Sequence, residues 1–267
     1  MDRYVVMGNP VAHSKSPLIH AQFAEQTGET ILYERLLVPP GGFAAAVHDL
    51  IGSGAKGANV TVPFKQEAYA LATALTERAS AAGAVNTLKF GGNVILGDNT
   101  DGAGLCTDIV RNCGIALGGK RILLLGAGGA ARGVLLPLLH QQPSQLVLVN
   151  RSFDKAAELA AKFAADGNLV ASEYAALEGE FDVIINGTAA SLNGEMPPVT
   201  PGLFAPGALA YDMMYGPQAT LFMQFAQQQG ATVRDGLGML IEQAAESFYV
   251  WRGIRPDTAP VLAAMRA

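Results

Sequence analysis

The sequence predicts an α/β protein of two lobes, each built on a mostly parallel sheet. Three observations predict it. Short apolar runs alternate with helical patterns along almost the whole chain, the rhythm of strand-helix-strand units. That rhythm pauses after a hairpin signal near residue 92 and restarts at Arg121. At about 150 residues per domain, the 267 residues also fit two cores better than one.

In the first half, residues 4–7, 31–38 and 58–62 read as strands, with helices opening near Pro17, Gly42 and Phe64. Residues 86–90 and 94–96 are separated by Gly91-Gly92-Asn93, a turn signal that predicts an antiparallel hairpin closing the lobe. The helix after Asp101 links the lobes. In the second half, strands are expected at 122–125, 146–149, 183–186 and 208–212, with a short run at 231–234 and a mostly parallel sheet. After Asp235-Gly236-Leu237-Gly238 a long helix runs to about Trp251, and a last one begins near Pro256.

Composition removes several classes of function. Hydrophobic residues make up 50% and charged ones 15%, too apolar for a disordered chain. No apolar stretch approaches the roughly 18 residues of a membrane span. A net charge of −5 gives no long-range attraction for nucleic acid or anionic lipid. Cys106 and Cys113 fall on one expected helix, about 10 Å apart along its axis and too far for a bridge, so both are expected reduced. The apolar run of the amino terminus is too short for a signal-peptide core, and a cytoplasmic protein is expected. His13, His20, His48 and His140 make no metal-ligand pattern, and no metal is expected.

The strongest local signal is the strand 122–125 running into Gly126-Ala127-Gly128-Gly129-Ala130-Ala131 and a helix. Gly126 permits a tight turn, Gly128 lets backbone approach a pyrophosphate, and Ala131 lets helix and strand pack closely, the pattern of a Rossmann-type dinucleotide site. One strand later, an NAD site usually puts a carboxylate for the ribose hydroxyls. Here stand Asn150, Arg151 and Ser152 instead. With Ser152 as helix cap, Arg151 and Lys155 bring two cations to the positive end of the helix dipole, partly offset by Asp154. That sign suits a ribose 2′-phosphate and predicts NADP over NAD. Two solvated side chains are the alternative.

Polar clusters in the first half sit where strands give way to helices, the edge at which open α/β sheets bind ligands. Ser14-Lys15-Ser16-Pro17 offers two hydroxyls, with Ser16 also a plausible helix cap. Thr61 and Lys65 flank the turn of Asn59-Val60-Thr61-Val62-Pro63-Phe64-Lys65, and Asn99-Thr100-Asp101-Gly102 ends the hairpin.

Together with Gly83-Ala84-Val85-Asn86-Thr87, Tyr211-Asp212-Met213-Met214-Tyr215 and Asp235-Gly236-Leu237-Gly238-Met239-Leu240 on to Gln243, these segments closely resemble the shikimate dehydrogenase family, in family order along nearly the whole chain. The resemblance implies NADP-linked, reversible reduction of 3-dehydroshikimate to shikimate in aromatic amino-acid biosynthesis. It implies a substrate domain of residues 1–101 rejoined by the closing helices 237–267, and a Rossmann-like NADP domain of 102–236. Residue by residue, it implies that Ser14 and Ser16 bind the substrate carboxylate, that Thr61, Asn86, Asp101, Tyr215 and Gln243 fix its hydroxyls, and that Lys65, beside Asp101, is the catalytic proton donor or acceptor. On the cofactor side it implies Gly126, Ala127, Gly128, Gly129 and Ala130, then Asn150, Arg151, Ser152, Phe153, Asp154 and Lys155, with Thr188, Met213, Gly236 and Glu77. One departure is Asn186-Gly187-Thr188-Ala189-Ala190, where the family carries Asn-Ala-Thr followed by serines.

Ketone reduction needs a hydride at one face of the carbonyl and a proton for the developing alkoxide, and an ammonium such as that of Lys65 supplies the proton while stabilising the charge. Two other readings compete. A relative oxidising quinate with NAD is disfavoured by Arg151 and Lys155. A non-catalytic dinucleotide-binding regulatory module is disfavoured by the retention of Lys65 and Asp101. The expected partner is a small-molecule substrate, with no nucleic acid or membrane, for a monomer or homodimer.

Overall fold

A computed structural model describes residues 1–266, Leu192 by its backbone alone. The chain divides into two compact units, Met1–Gly104 with the segment from Leu240 onward, and Leu105–Met239. The first unit carries β1 (Asp2–Gly8), α1 (Ser16–Thr27), β2 (Ile31–Leu37), α2 (Phe43–Gly52), β3 (Gly57–Val60), α3 (Lys65–Leu71), β4 (Ala74–Leu75), α4 (Glu77–Ala82), β5 (Thr87–Gly91) and β6 (Val94–Asp98). Its sheet has the order β2-β1-β3-β5-β6-β4. β1 pairs in parallel with β2 and β3, whereas β5 runs antiparallel to both β3 and β6, as the hairpin signal predicts. β1 is buried without interruption from Tyr4 to Gly8, the pattern of a strand covered on both faces. Pro17 in the first turn of α1 and Gly28 in the left-handed region at its end are sequence punctuation seen in place.

The second unit follows α5 (Asp101–Thr107) with β7 (Arg121–Leu125), α6 (Gly129–Leu139), β8 (Gln145–Val149), α7 (Phe153–Lys162), β9 (Leu169–Ser172), β10 (Phe181–Asn186), β11 (Phe204–Asp212), α8 (Leu221–Gln228) and β12 (Thr232–Arg234). Its sheet is ordered β12-β11-β10-β7-β8-β9, and every pairing is parallel. Two closing helices, α9 (Leu237–Arg252) and α10 (Ala259–Arg266), complete the chain, and α9 from Leu240 onward packs with the first unit. Trp251 anchors it there, its indole N–H donating to the Leu88 carbonyl at 2.9 Å. Among the described residues, no helix is long and apolar enough to cross a membrane, and no group of three or more His, Cys, Asp or Glu is placed to hold a metal ion.

One helix differs from expectation. The stretch carrying Cys106 and Cys113 is α-helical only to Thr107, then widens into a π turn over Asp108–Asn112, and Cys113 lies just beyond it. The Cys113 N–H donates to the Asp108 carbonyl five residues back, and the Asp108 carboxylate is held by Asn112 at 2.8 Å and by the distant Tyr211 phenol at 2.6 Å. Neither cysteine is in a disulfide.

His20 of α1 is fully buried in an aromatic cage, its ring stacked on Tyr33 at 4.2 Å with Trp251 at 5.3 Å, and among the described residues neither ring nitrogen has a hydrogen-bond partner. Burial outweighs the opposing pull of nearby Asn59 and takes its pKa from 6.5 down to about 3. The unfolded chain therefore binds a proton, between those values, that the folded chain refuses. The stability His20 contributes is complete above pH 6.5 and is lost as the pH falls from there toward 3. Acidification from pH 7 to pH 5 should remove about 2 kcal/mol through this group. Urea midpoints across that range should flatten by one proton in His20→Phe; an equal slope in both proteins would place the proton uptake elsewhere.

Candidate active site

Lys65 opens α3, and Asp101 opens α5. The Lys65 ammonium donates to Asp101 Oδ2 at 2.6 Å across a sequence separation of 36 residues. The other carboxylate oxygen of Asp101 accepts from Asn86 Nδ2 at 2.7 Å. Asp101 is buried, while the Lys65 side chain keeps 29% of its surface exposed. The ammonium is thus tethered from beneath by a fixed acid, with its outer side open to a ligand.

Asn86 is held as tightly as it holds. Its Oδ1 accepts from the Thr100 N–H and from the Thr87 hydroxyl, both at 2.9 Å, and its Nδ2 also reaches Gln243 Oε1 at 3.2 Å. Those bonds fix which way the amide faces, so the nitrogen must point at Asp101. Four predicted residues, Lys65, Asp101, Asn86 and Gln243, are thereby brought into one cluster.

The serine pair lies along the same hydrogen-bonded chain. Ser16 is the first residue of α1 and does not cap it; instead the Ser14 hydroxyl accepts from the Ser16 N–H at 3.3 Å and donates to the Ser16 hydroxyl at 3.2 Å. Arg35 holds the Ser14 carbonyl with two donors, at 3.0 and 2.6 Å. The Ser16 hydroxyl also faces the Tyr33 phenol. Tyr33 donates to Asn59 Oδ1 at 2.7 Å, and Asn59 Nδ2 donates to Thr87 and Ser247 at 3.1 and 3.0 Å. Thr61 sits in the turn after β3, its N–H on the Met7 carbonyl and its methyl against Gly8. Tyr33, Asn59, Thr87, Thr100 and Ser247 were not expected as site residues. Ser247 had a readable signal, lying four residues after Gln243 on the same face of α9.

The second unit carries a cavity of about 370 Å³ lined by Gly126, Gly128, Asn150, Arg151, Tyr174 and Thr188, with Asn193 and the 195–198 segment. Gly126 adopts φ +101°, and a side chain there would press on the Gly187 backbone at 3.2 Å. A Cβ on Gly128 or Gly129 would meet nothing within 4 Å, so the space above the first turn of α6 is open for an anion at backbone N–H groups with no intrahelical acceptor. Asn150 fastens the loop, its Oδ1 accepting from the Ala127 N–H at 3.3 Å and its Nδ2 donating to the Ser152 carbonyl at 2.9 Å. Ser152 occupies the cap position of α7 yet makes no capping hydrogen bond. Among the described residues, neither Arg151 nor Lys155 has an ion-pair partner, and both are exposed, as is Asp154. Phe153 starts α7 at 39% exposure.

The departure at Gly187 has a local consequence: a side chain there would touch the Met213 sulfur at 3.1 Å, so that sulfur lies directly against the cavity wall. The Gly236 Cα presses on the Met213 backbone, where any Cβ would stand 2.2 Å from the carbonyl oxygen, so these two predicted cofactor residues are adjacent. Asn186 ties the turn, accepting from the Thr188 hydroxyl at 2.7 Å and donating to Ser191 and Asp212. Tyr215 belongs to the second unit, in the segment after β11, its phenol pKa pushed up by burial. Glu77 is exposed in the first turn of α4, in the first unit.

Three family models cover most of the chain: a shikimate dehydrogenase substrate-binding domain at residues 6–88, a shikimate/quinate 5-dehydrogenase at 108–193 and a shikimate 5′-dehydrogenase C-terminal domain at 236–266. A shikimate dehydrogenase (NADP(+)) of Herminiimonas arsenicoxydans is 65% identical over 266 residues, spanning 100% of this chain and 97% of its own. The chain belongs to the shikimate dehydrogenase family. Among solved structures similar to this family member is an Ael1 enzyme from Pseudomonas putida, with TM-score 0.95 and 45% identity over 99% of this chain and 98% of its own. Another is shikimate 5-dehydrogenase of Thermus thermophilus, in complex with NADP(H) and shikimate, with TM-score 0.88 and 33% identity over 100% and 99% of the two chains.

Proposed function

We propose that this member of the shikimate dehydrogenase family catalyses the reversible, NADPH-dependent reduction of 3-dehydroshikimate to shikimate, a step of aromatic amino-acid biosynthesis, in the cytoplasm. The observation that carries the reading is the Lys65 ammonium, 2.6 Å from a buried carboxylate and partly open to solvent, in a cluster otherwise built of hydroxyls and amides. A polyhydroxylated acid offers little apolar surface, and such a cluster recognises it by leaving buried donors unpaired when the wrong ring enters.

In this reading residues 1–101 with 237–267 form the substrate domain, and 102–236 the coenzyme domain. Ser14 and Ser16 donate to the substrate carboxylate; Thr61, Asn86, Tyr215 and Gln243 orient its hydroxyls. Lys65 donates its proton to the carbonyl oxygen as negative charge builds there, and takes it back in the reverse direction. Asp101 keeps the ammonium in place. NADPH, when bound, supplies the hydride. The residues present fit it: open backbone at Gly128 and Gly129, two unpaired cations and an uncommitted Ser152 hydroxyl suit a pyrophosphate and a 2′-phosphate. Gly126, Ala127, Ala130, Asn150, Arg151, Lys155 and Thr188 hold the coenzyme from the second unit, with Phe153 and Asp154 beside them, Met213 and Gly236 near the nicotinamide, and Glu77 as a further contact.

The test is the absorbance of the reduced nicotinamide with shikimate or quinate, each offered with NADP or NAD. Turnover restricted to shikimate and NADP is expected. Quinate with NAD as the faster pair would overturn the substrate and cofactor together, and coenzyme binding without turnover would make the protein a non-catalytic module.

A further inference from the structure

We propose that Tyr174 is the adenine-binding residue of this enzyme and sets part of its coenzyme affinity. The inference rests on the NADP reading above and adds to it a residue from a turn that carries no recognisable motif.

The order of strands leads to it. Along the sheet edge, β7 ends in the glycine loop, β8 ends in Asn150 and Arg151, and β9 ends just before Tyr174. A dinucleotide with its pyrophosphate over the first turn of α6 and its 2′-phosphate at Arg151 carries its adenine on that same ribose. The base must therefore lie within one ring's length of Arg151. Tyr174 lines the same cavity, as do Met196, Pro197 and Pro198.

Of the described side chains lining the cavity, Tyr174 is the one that offers an aromatic face. The Asn150 amide is spent on the Ala127 N–H and the Ser152 carbonyl, and the Thr188 hydroxyl on Asn186. Glu195 lines the cavity too, as an acceptor able to meet an exocyclic amine, but with no flat face to offer. Tyr174 packs against the core of the second unit and sits in a 3₁₀ turn closed by the Leu177 N–H on its carbonyl, so the ring is held in place before any ligand arrives. Partial burial pushes its phenol pKa up to about 12, which keeps the ring neutral at any working pH. A neutral, prefixed aromatic ring in a cavity also lined by a Met-Pro-Pro segment suits a purine.

The experiment is calorimetric titration of the full-length wild type, Tyr174→Ala, Tyr174→Leu and Tyr174→Phe with adenosine 2′,5′-bisphosphate, which carries the base and the 2′-phosphate but no nicotinamide. Loss of the stacking face should weaken binding about tenfold in the Ala and Leu variants, while Phe stays within about twofold of wild type. The Leu variant keeps apolar bulk against the core, so its loss reports the flat face and not a damaged fold. The KM for shikimate should be unchanged in all three. Wild-type affinity in Tyr174→Leu would overturn the assignment, as would a loss in Tyr174→Phe equal to that in Ala. Failure of the wild type itself to bind the bisphosphate would instead remove the coenzyme reading beneath it.

Discussion

Lys65→Ala should lower kcat by roughly a hundredfold or more while changing the KM for shikimate only modestly, the signature of a lost general acid. Two things vanish together in that variant: the proton for the developing alkoxide, and the positive charge that stabilises it before the proton moves. The substitution also leaves Asp101, buried and still bonded to Asn86, without its cation. Lys65→Arg separates the two losses, because a guanidinium keeps the charge but does not release a proton. If kcat of the Arg variant stays near that of Ala, proton transfer dominates; if it recovers most of the rate, electrostatic stabilisation does. Steady-state rates at saturating substrate measure both, and a near-normal kcat in Lys65→Ala would take Lys65 out of the chemistry.

The pairing of Lys65 with Asp101 shows what a chain of residue types does and does not encode. The strand-helix rhythm, the Gly91-Gly92-Asn93 hairpin and the glycine loop are local patterns, and each folds where periodicity and turn chemistry put it. β4 was missed because two residues cannot show alternation, and β9, four residues long, was missed as well. The π turn at Asp108 was hidden for another reason: its side-chain bond comes from Tyr211, 103 residues away. Proximity in the site is likewise a product of topology. β3 and β5 are adjacent and antiparallel, which sets Asn59 directly across from Thr87. Nothing in either segment alone announces that a buried hydroxyl and a half-buried amide will meet. Tyr33 and Ser247 join the network from opposite ends of the first unit's sequence, and only the α9 helical spacing from Gln243 could have pointed to the second of them.

In the proposed reading the preference for NADP is set at Arg151, and Arg151→Ala should cut the preference for NADP over NAD by about 10- to 100-fold, the worth of one or two charge-assisted hydrogen bonds to a 2′-phosphate. The sign follows from what surrounds the position. A dinucleotide site that prefers NAD puts a carboxylate at the end of the second strand, where it accepts from the ribose hydroxyls and repels a phosphate. Here β8 ends in Asn150, whose amide is occupied with the glycine loop, and the next cation, Lys155, is one helical turn further on and also without an ion-pair partner among the described residues. Two unpaired cations at the amino end of α7 disfavour the empty site through the helix dipole, and a dianion relieves both effects at once. The loss in Arg151→Ala should therefore fall on the KM for NADPH, leaving kcat at saturating NADPH and the KM for NADH nearly unchanged. Raising ionic strength should narrow the preference in the wild type more than in the variant, because these charges are exposed and screened by salt. A ratio of NADP to NAD efficiency that is the same in both proteins would mean that the phosphate is bound elsewhere and that Arg151 is merely solvated.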